Sequence, residues 1–319
     1  MHGPQANTVL TCPRDVRWRA VDLGMVWIQT VHPRPVTDRA PTDRSDRSAM
    51  PHPTTRRTAR YGWAPDLPDA RDFLYSAPRL SLISLPPAAD LRGQCPPVYD
   101  QGEIGSCTAN AIAAAFEFEL MRQNLQAFVP SRLFIYYNER VIEGHTSTDS
   151  GAQLRDGIKS VANLGVCPED EWPYDGTPAL SDGGPFPPTA RAGQKPPANC
   201  YTEALKSTVT GYQRVTRDIN QFKACLASGF PFVFGFTVYA DFESAEVKKT
   251  GVAQLPTTDE EVIGGHAVMA VGYDDQTERF IVRNSWGPGW GMDGYFTMPY
   301  AYLTEQGLAS DFWTIRIVT

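Results

Sequence analysis

From Phe230 onward the sequence is written in short apolar runs: FPFVFGFTVY at 230–239, HAVMAVGY at 266–273, RFIVRN at 279–284, GYFTM at 294–298 and FWTIRIV at 312–318. Runs this short, rich in Val, Ile, Phe and Tyr and parted by Gly, Pro and Asp, predict antiparallel strands. Ahead of them lie three stretches of helical character, 107–123, 131–143 and 151–164. In the last, Leu154, Ile158 and Val161 share a face and Gly165 closes it. A short helix is predicted over 218–227, whereas 173–200 holds seven prolines and reads as loop. Helices first and strands later predict an α+β fold with segregated halves, and a cleft between such halves is a natural place for a substrate.

The 319 residues suffice for a full core without covalent staples. Charge is unevenly spread. Residues 1–60 carry ten Arg against five Asp and show little periodicity, so a basic, Pro- and Arg-rich tail, predicted to be disordered, precedes an acidic body. Met25 and Met50 within it are candidates for a downstream start. From Tyr61 the text changes to YGWAPDLPDARDFLYS, where Tyr61, Trp63, Phe73 and Tyr75 punctuate a Pro- and Asp-rich stretch. That pattern predicts an extended arm over 61–88 docked through aromatic anchors; the plainer reading has the rings packing on the outside of the body. No run approaches the roughly 18 apolar residues of a membrane span. LGMVWI at 23–28 is short and follows charge, unlike a secretory signal. Neither membrane nor nucleic acid is an expected partner, and the default location is the cytoplasm.

Six cysteines, Cys12, Cys95, Cys107, Cys167, Cys200 and Cys225, form no CxxC pair and have no histidine at zinc-ligand spacing, so neither metal nor cofactor is expected and disulfide pairing stays open. One is placed differently. QGEIGSC at 101–107 puts Cys107 where a loop enters the Ala-rich helix TANAIAAAF, and unpaired N–H groups at a helix start favour thiolate. A cysteine is more often a buried small apolar side chain, and alone it would be read so. What changes the reading is GGHAVMAVGYDD at 264–275 followed by RNSWGPGWGMDGY at 283–295. His266 begins one predicted strand and Asn284 ends the next. Adjacent antiparallel strands can bring an Asn oxygen to one ring nitrogen while the other faces a thiolate, which completes a nucleophile, a base and its orienter. His145 and TTDEE at 257–261 read instead as solvated loop, and Asp274 and Asp275 as turn formers.

On these residues the chain resembles the papain family of cysteine peptidases, its bacterial branch in particular, over roughly 89–319. Gln101 stands six residues before Cys107, His266 lies in an HAV…VGY strand, and NSWGPGWGMDGY at 284–295 matches the family's Asn-Ser-Trp-Gly signature. The resemblance implies a two-lobed fold, with a helical lobe at about 89–205, an antiparallel barrel-like β lobe at about 206–319, and the active-site cleft between them. It implies Cys107 as nucleophile, His266 as general acid and base, Asn284 as orienter, Gln101 in the oxyanion hole and Trp286 shielding the Asn284–His266 bond. Ser150 and Gly151 would pair with extended substrate, near Gly265. Ser310 or Asp311 would floor the pocket for the second substrate residue upstream of the scissile bond. Ile104 and Thr148 stand where most members carry two mutually bonded cysteines, and Thr108 replaces the usual Trp, so packing is expected to hold the active-site loop. No long helical propeptide motif occurs in the first 88 residues. The expected activity is that of an endopeptidase working on peptide or protein substrates through a Cys107 thioester, with the N-terminal arm occluding the cleft. An acyl transferase using the same thioester, or a silent peptide-binding module, are the alternatives.

Overall fold

The computed structural model describes residues 61–319. The disordered tail expected over 1–60 lies outside the described residues. The described chain starts with two two-residue strands, β1 (Trp63–Ala64) and β2 (Leu74–Tyr75), then a short helix α1 (Arg79–Ile83) and strand β3 (Ala88–Asp90). Helices dominate the next part: α2 (Cys107–Arg122), α3 (Arg132–Glu143), the short strand β4 (Ala152–Gln153), α4 (Leu154–Leu164) and α5 (Ala198–Ala204). The remainder runs β5 (Val209–Val215), α6 (Ile219–Ala227), β6 (Phe232–Tyr239), α7 (Ala245–Thr250), β7 (Val262–Asp274), β8 (Arg279–Arg283), β9 (Tyr295–Pro299), α8 (Tyr300–Thr304) and β10 (Ala309–Val318). The fold is α+β.

Local chemistry sets the boundaries. Ser131 caps α3 by accepting the Phe134 N–H at 3.2 Å, and Asp218 caps α6 by accepting from Asn220 and Gln221. The third predicted helix begins at Leu154 instead of 151, because Gly151 takes a left-handed φ of 73° and Ala152–Gln153 extend into β4. The prolines of 173–200 keep that stretch largely irregular until α5 begins at Ala198.

One eight-stranded sheet organises the second half, in the order β2-β5-β10-β6-β7-β8-β9 with β3 paired to β7. Its pairs are antiparallel except β2 on β5. Strand β7 is its spine: β6 pairs along Val262–Ala270, and β8 and β3 take the end near Asp274. Two strands of this sheet, β2 and β3, come from the segment ahead of the helices. Between sheet and α6 lies an aromatic core in which Phe222 meets Phe312 at 4.5 Å and Phe232 at 5.2 Å between centroids. Helix α2 packs on β7 and β10 and is buried from Cys107 to Leu120. A helix buried on every side needs small residues where neighbours press closest, which its alanines supply.

Candidate active site

His266 lies inside β7, opposite Phe236, because that strand starts at Val262 and not at the histidine. Asn284 follows β8 directly, and the Met269–Arg283 pairing carries it back along β7 toward His266. Its Oδ1 is 2.8 Å from His266 Nε2 and also accepts the Ser285 N–H at 2.8 Å. An amide oxygen only accepts, so this contact keeps the ring proton on Nε2 and makes Nδ1 the basic nitrogen of the neutral ring. Trp286 stacks on the imidazole with centroids 4.9 Å apart, and Phe242 and Trp290 meet Trp286 edge-on. Gln101 is pinned to the same segment: its N–H donates to Ser285 O at 2.9 Å, and its side-chain oxygen accepts Ser285 Oγ at 2.6 Å. The Gln101 amide nitrogen donates to Ile104 O at 2.8 Å. Cys107, fully buried, is the first residue of α2, the helix that packs along His266's strand.

The loop before Cys107 is held by hydrogen bonds as well as packing, which corrects the expectation of packing alone. Gly105 N donates to both oxygens of Asp149, and Tyr136 Oη donates to Asp149 Oδ1 at 2.5 Å while accepting the Gly151 N–H at 3.2 Å. A buried carboxylate thus bridges the loop to the Ser150–Gly151 segment, close to where Thr148 stands. Thr108 donates to Glu139 at 2.6 Å, and complete burial pushes the Glu139 carboxyl far above the usual range. Nothing in the spelling around Asp149 singles it out.

The arm runs across this site. Gly62 O accepts the Ala152 N–H at 2.7 Å, and β1 pairs with β4 in parallel, Trp63 beside Ala152, next to Gly151 and the exposed Ser150. The Tyr61 ring meets His266 at 5.9 Å and Trp286 at 6.0 Å, and its hydroxyl donates to Glu243. Trp63 lies against Gly235 and Gly265, and its Nε1 donates to Asp311 Oδ2 at 3.2 Å. Of the two candidates for the pocket floor, Asp311 reaches inward; Ser310 pairs with Gly235 in the sheet and is half-buried. Asp311 is 2% exposed, with a φ of 59° that turns it out of the strand pattern, and Arg214 holds its Oδ1 at 2.9 Å. Beyond Trp63, Asp66 accepts from Arg155 N at 3.0 Å and Trp313 Nε1 at 2.9 Å, and Asp72 pairs with Arg155 at 2.6 Å. Burial and the nearby Asp311 carboxylate push Asp66 up to about 7. Tyr61, Trp63 and Tyr75 are buried anchors; Phe73 is 70% exposed and anchors nothing.

Among the described residues no cluster of three His, Cys, Asp or Glu side chains could hold a metal ion, and no helix is long and apolar enough to cross a membrane. His145 is exposed, as expected of a loop residue. Cys95, Cys167, Cys200 and Cys225 carry no disulfide.

Residues 85–314 match the family described as papain family cysteine protease. Xylellain, a cysteine protease from Xylella fastidiosa, is 51% identical, and its crystal structure superposes with a TM-score of 0.79 over 83% of this chain and 99% of that one. An uncharacterized peptidase C1-like protein of Acanthamoeba polyphaga mimivirus is 41% identical over 83% of this chain and 89% of its own length. A procathepsin B of Trypanosoma congolense, 19% identical, shares the fold with a TM-score of 0.63 over 82% of this chain and 87% of its own.

Proposed function

Because the chain belongs to the papain family of cysteine proteases, and is therefore a cysteine peptidase, we infer that Cys107 is its nucleophile and His266 its general acid and base. The observation that carries this reading is the 2.8 Å contact of Asn284 with His266 Nε2 under the Trp286 ring, which fixes a basic Nδ1 on the strand that α2 covers. His266 Nδ1 takes the thiol proton, and Cys107 Sγ adds to the scissile carbonyl carbon. The oxygen of that carbonyl becomes the oxyanion, to which the Gln101 amide and the Cys107 N–H donate. Collapse expels the amine, which leaves with the proton from His266, and a thioester remains on Cys107. His266 then takes a proton from water as the water adds, and a second collapse returns thiol and releases the carboxylic acid.

The arm keeps this site closed. Tyr61 over His266 and Gly62 on the Ala152 N–H fill the groove that an extended peptide would use, so turnover requires the arm to move aside.

The test is labelling of the full chain with a peptide chloromethylketone, the adduct being mapped by mass spectrometry. Modification of Cys107, abolished together with peptide hydrolysis in Cys107→Ser, is the expected result. Hydrolysis that survives Cys107→Ser would overturn the assignment.

A further inference from the structure

The Trp63 indole occupies a slot whose two walls have no side chains. A Cβ on Gly235 would fall 1.9 Å from indole Cε2, and one on Gly265 would fall 2.8 Å from Cε3. Both are nearer than any real Cβ contact, so only glycine at these two positions leaves room for a flat double ring. Gly235 lies on β6 and Gly265 on β7, where it pairs with Thr237 and immediately precedes His266. The slot therefore adjoins the reactive histidine and opens on the groove in which Gly62 O takes the Ala152 N–H.

Its floor is equally particular. Asp311 Oδ1 is bound to Arg214 at 2.9 Å, which balances the charge, while Oδ2 accepts Trp63 Nε1 at 3.2 Å and Asp66 N at 2.8 Å. Once the arm withdraws, Oδ2 loses both donors to water, and a side chain that fills the slot expels that water again. Oδ2 then calls for a neutral N–H at the far edge of whatever fills the slot. A cation there would share one carboxylate with Arg214, and burial and the Arg214 charge already hold Arg217 below its ordinary range against the pull of Asp311.

We propose that the slot between Gly235 and Gly265, floored by Asp311, selects tryptophan at the second substrate residue upstream of the scissile bond. The inference rests on the peptidase reading above and adds the side-chain class. The arm's own Trp63 is the occupant the slot was shaped around. Phenylalanine fills most of the space and leaves Oδ2 unpaired. Leucine leaves much of the slot empty, and arginine brings a second guanidinium to a carboxylate already paired.

Fluorogenic peptides differing only in Trp, Phe, Leu or Arg at that residue are compared on the full chain carrying Trp63→Ala, which empties the slot and alters no reacting group. Trp should exceed Phe in kcat/KM by about tenfold, as expected when a buried acceptor is left unpaired, and should exceed Leu and Arg by more. Adding Asp311→Ala should bring Trp and Phe level, whereas adding Gly265→Val, which crowds the occupant's backbone as well as its ring, should lower all four substrates and Trp the most. Chloromethylketones carrying the same four side chains give the order a second time as rates of Cys107 labelling. As a check on unaltered active-site walls, Trp63→Phe should raise the turnover of a common substrate less than Trp63→Ala does. A preference for Leu or Arg, or a Trp-to-Phe ratio untouched by Asp311→Ala, overturns the specificity while Cys107 labelling upholds the peptidase. Absence of both hydrolysis and labelling overturns the peptidase reading itself.

Discussion

Gly105 N–H is shared between the two carboxylate oxygens of Asp149, at 3.0 and 3.1 Å, and this bond fastens the loop leading into Cys107 to the segment leading into β4. Asp149→Ala would strand the Gly105 N–H in a dry interior and take one acceptor from the Tyr136 hydroxyl, at a cost of about 1–3 kcal/mol for a buried group left unpaired. Thermal unfolding should shift down by several degrees. kcat should fall more than KM rises, because the loop positions the thiol and not only the substrate. Asp149→Asn, which keeps an acceptor oxygen, should recover part of both. Equal loss of kcat and of binding in the two variants would mean that the carboxylate does no positioning.

Gln101 is aimed by Ser285, whose Oγ donates to its side-chain oxygen at 2.6 Å. Removing the amide with Gln101→Ala should lower kcat on the order of 10², with little change in KM, since an oxyanion donor acts in the transition state. Ser285→Ala leaves the amide in place but unaimed, so a smaller loss of the same kind is expected. Steady-state kinetics on both variants decides it: a KM effect in place of a kcat effect would give Gln101 a role in substrate binding.

The proposed reacting set could be picked out in the sequence because each member sits in a local context that repeats its chemistry: a Cys at a helix start, a His in an apolar strand, an Asn ahead of a Ser-Trp-Gly turn. Asp149 was not, since its partner is a backbone N–H 44 residues away and a Thr-Asp-Ser string reads as an ordinary turn. The aromatic anchors could be seen, but not what they dock on, because Gly235, Gly264 and Gly265 look like strand punctuation until the Tyr61 and Trp63 rings are placed against them. Glycines also hid the true start of β7, which put His266 at a strand end in the sequence reading and in mid-strand in the fold. Strand β5, VTGYQRV, has buried residues only at its two ends and so lacks the alternation that announces a strand. Helices α7 and α8, of six and five residues, are too short to show a period.

Gly62 passes so close to the loop that a Cβ there would lie 1.7 Å from Gly105 O and 2.4 Å from Gly105 C. These are backbone atoms, in a loop that Asp149 holds, so they cannot swing aside as a side chain would. Gly62→Ala should therefore expel the arm while touching none of the reacting residues, and kcat/KM of the full chain should rise. In an Asp149→Ala background the loop can yield, and the gain should shrink. Unchanged or lower turnover in Gly62→Ala would show that the arm is no barrier.

Docking of the arm gathers three carboxylates, Asp66, Asp72 and Asp311, around two guanidinium groups, Arg155 and Arg214, within 4.0 Å. One negative charge is in excess, and Asp66, whose side chain is fully buried beside Asp311, is where a proton relieves it. In the docked arm burial and Asp311 raise Asp66 to about 7, against the ordinary value of 3.8 expected once the arm is free in water. The docked state therefore binds more protons than the released one. Its stabilisation is complete below 3.8, declines as pH rises toward about 7, and is lost above that. The expected observable is the ratio of full-chain turnover to that of Gly62→Ala, which cancels the pH dependence of the chemistry itself. That ratio should climb between pH 4 and pH 7 and then level off, in line with the two values for Asp66. Asp66→Asn cannot ionise and should flatten the climb. A ratio that falls with rising pH would mean that acid releases the arm, and that some other group controls its docking.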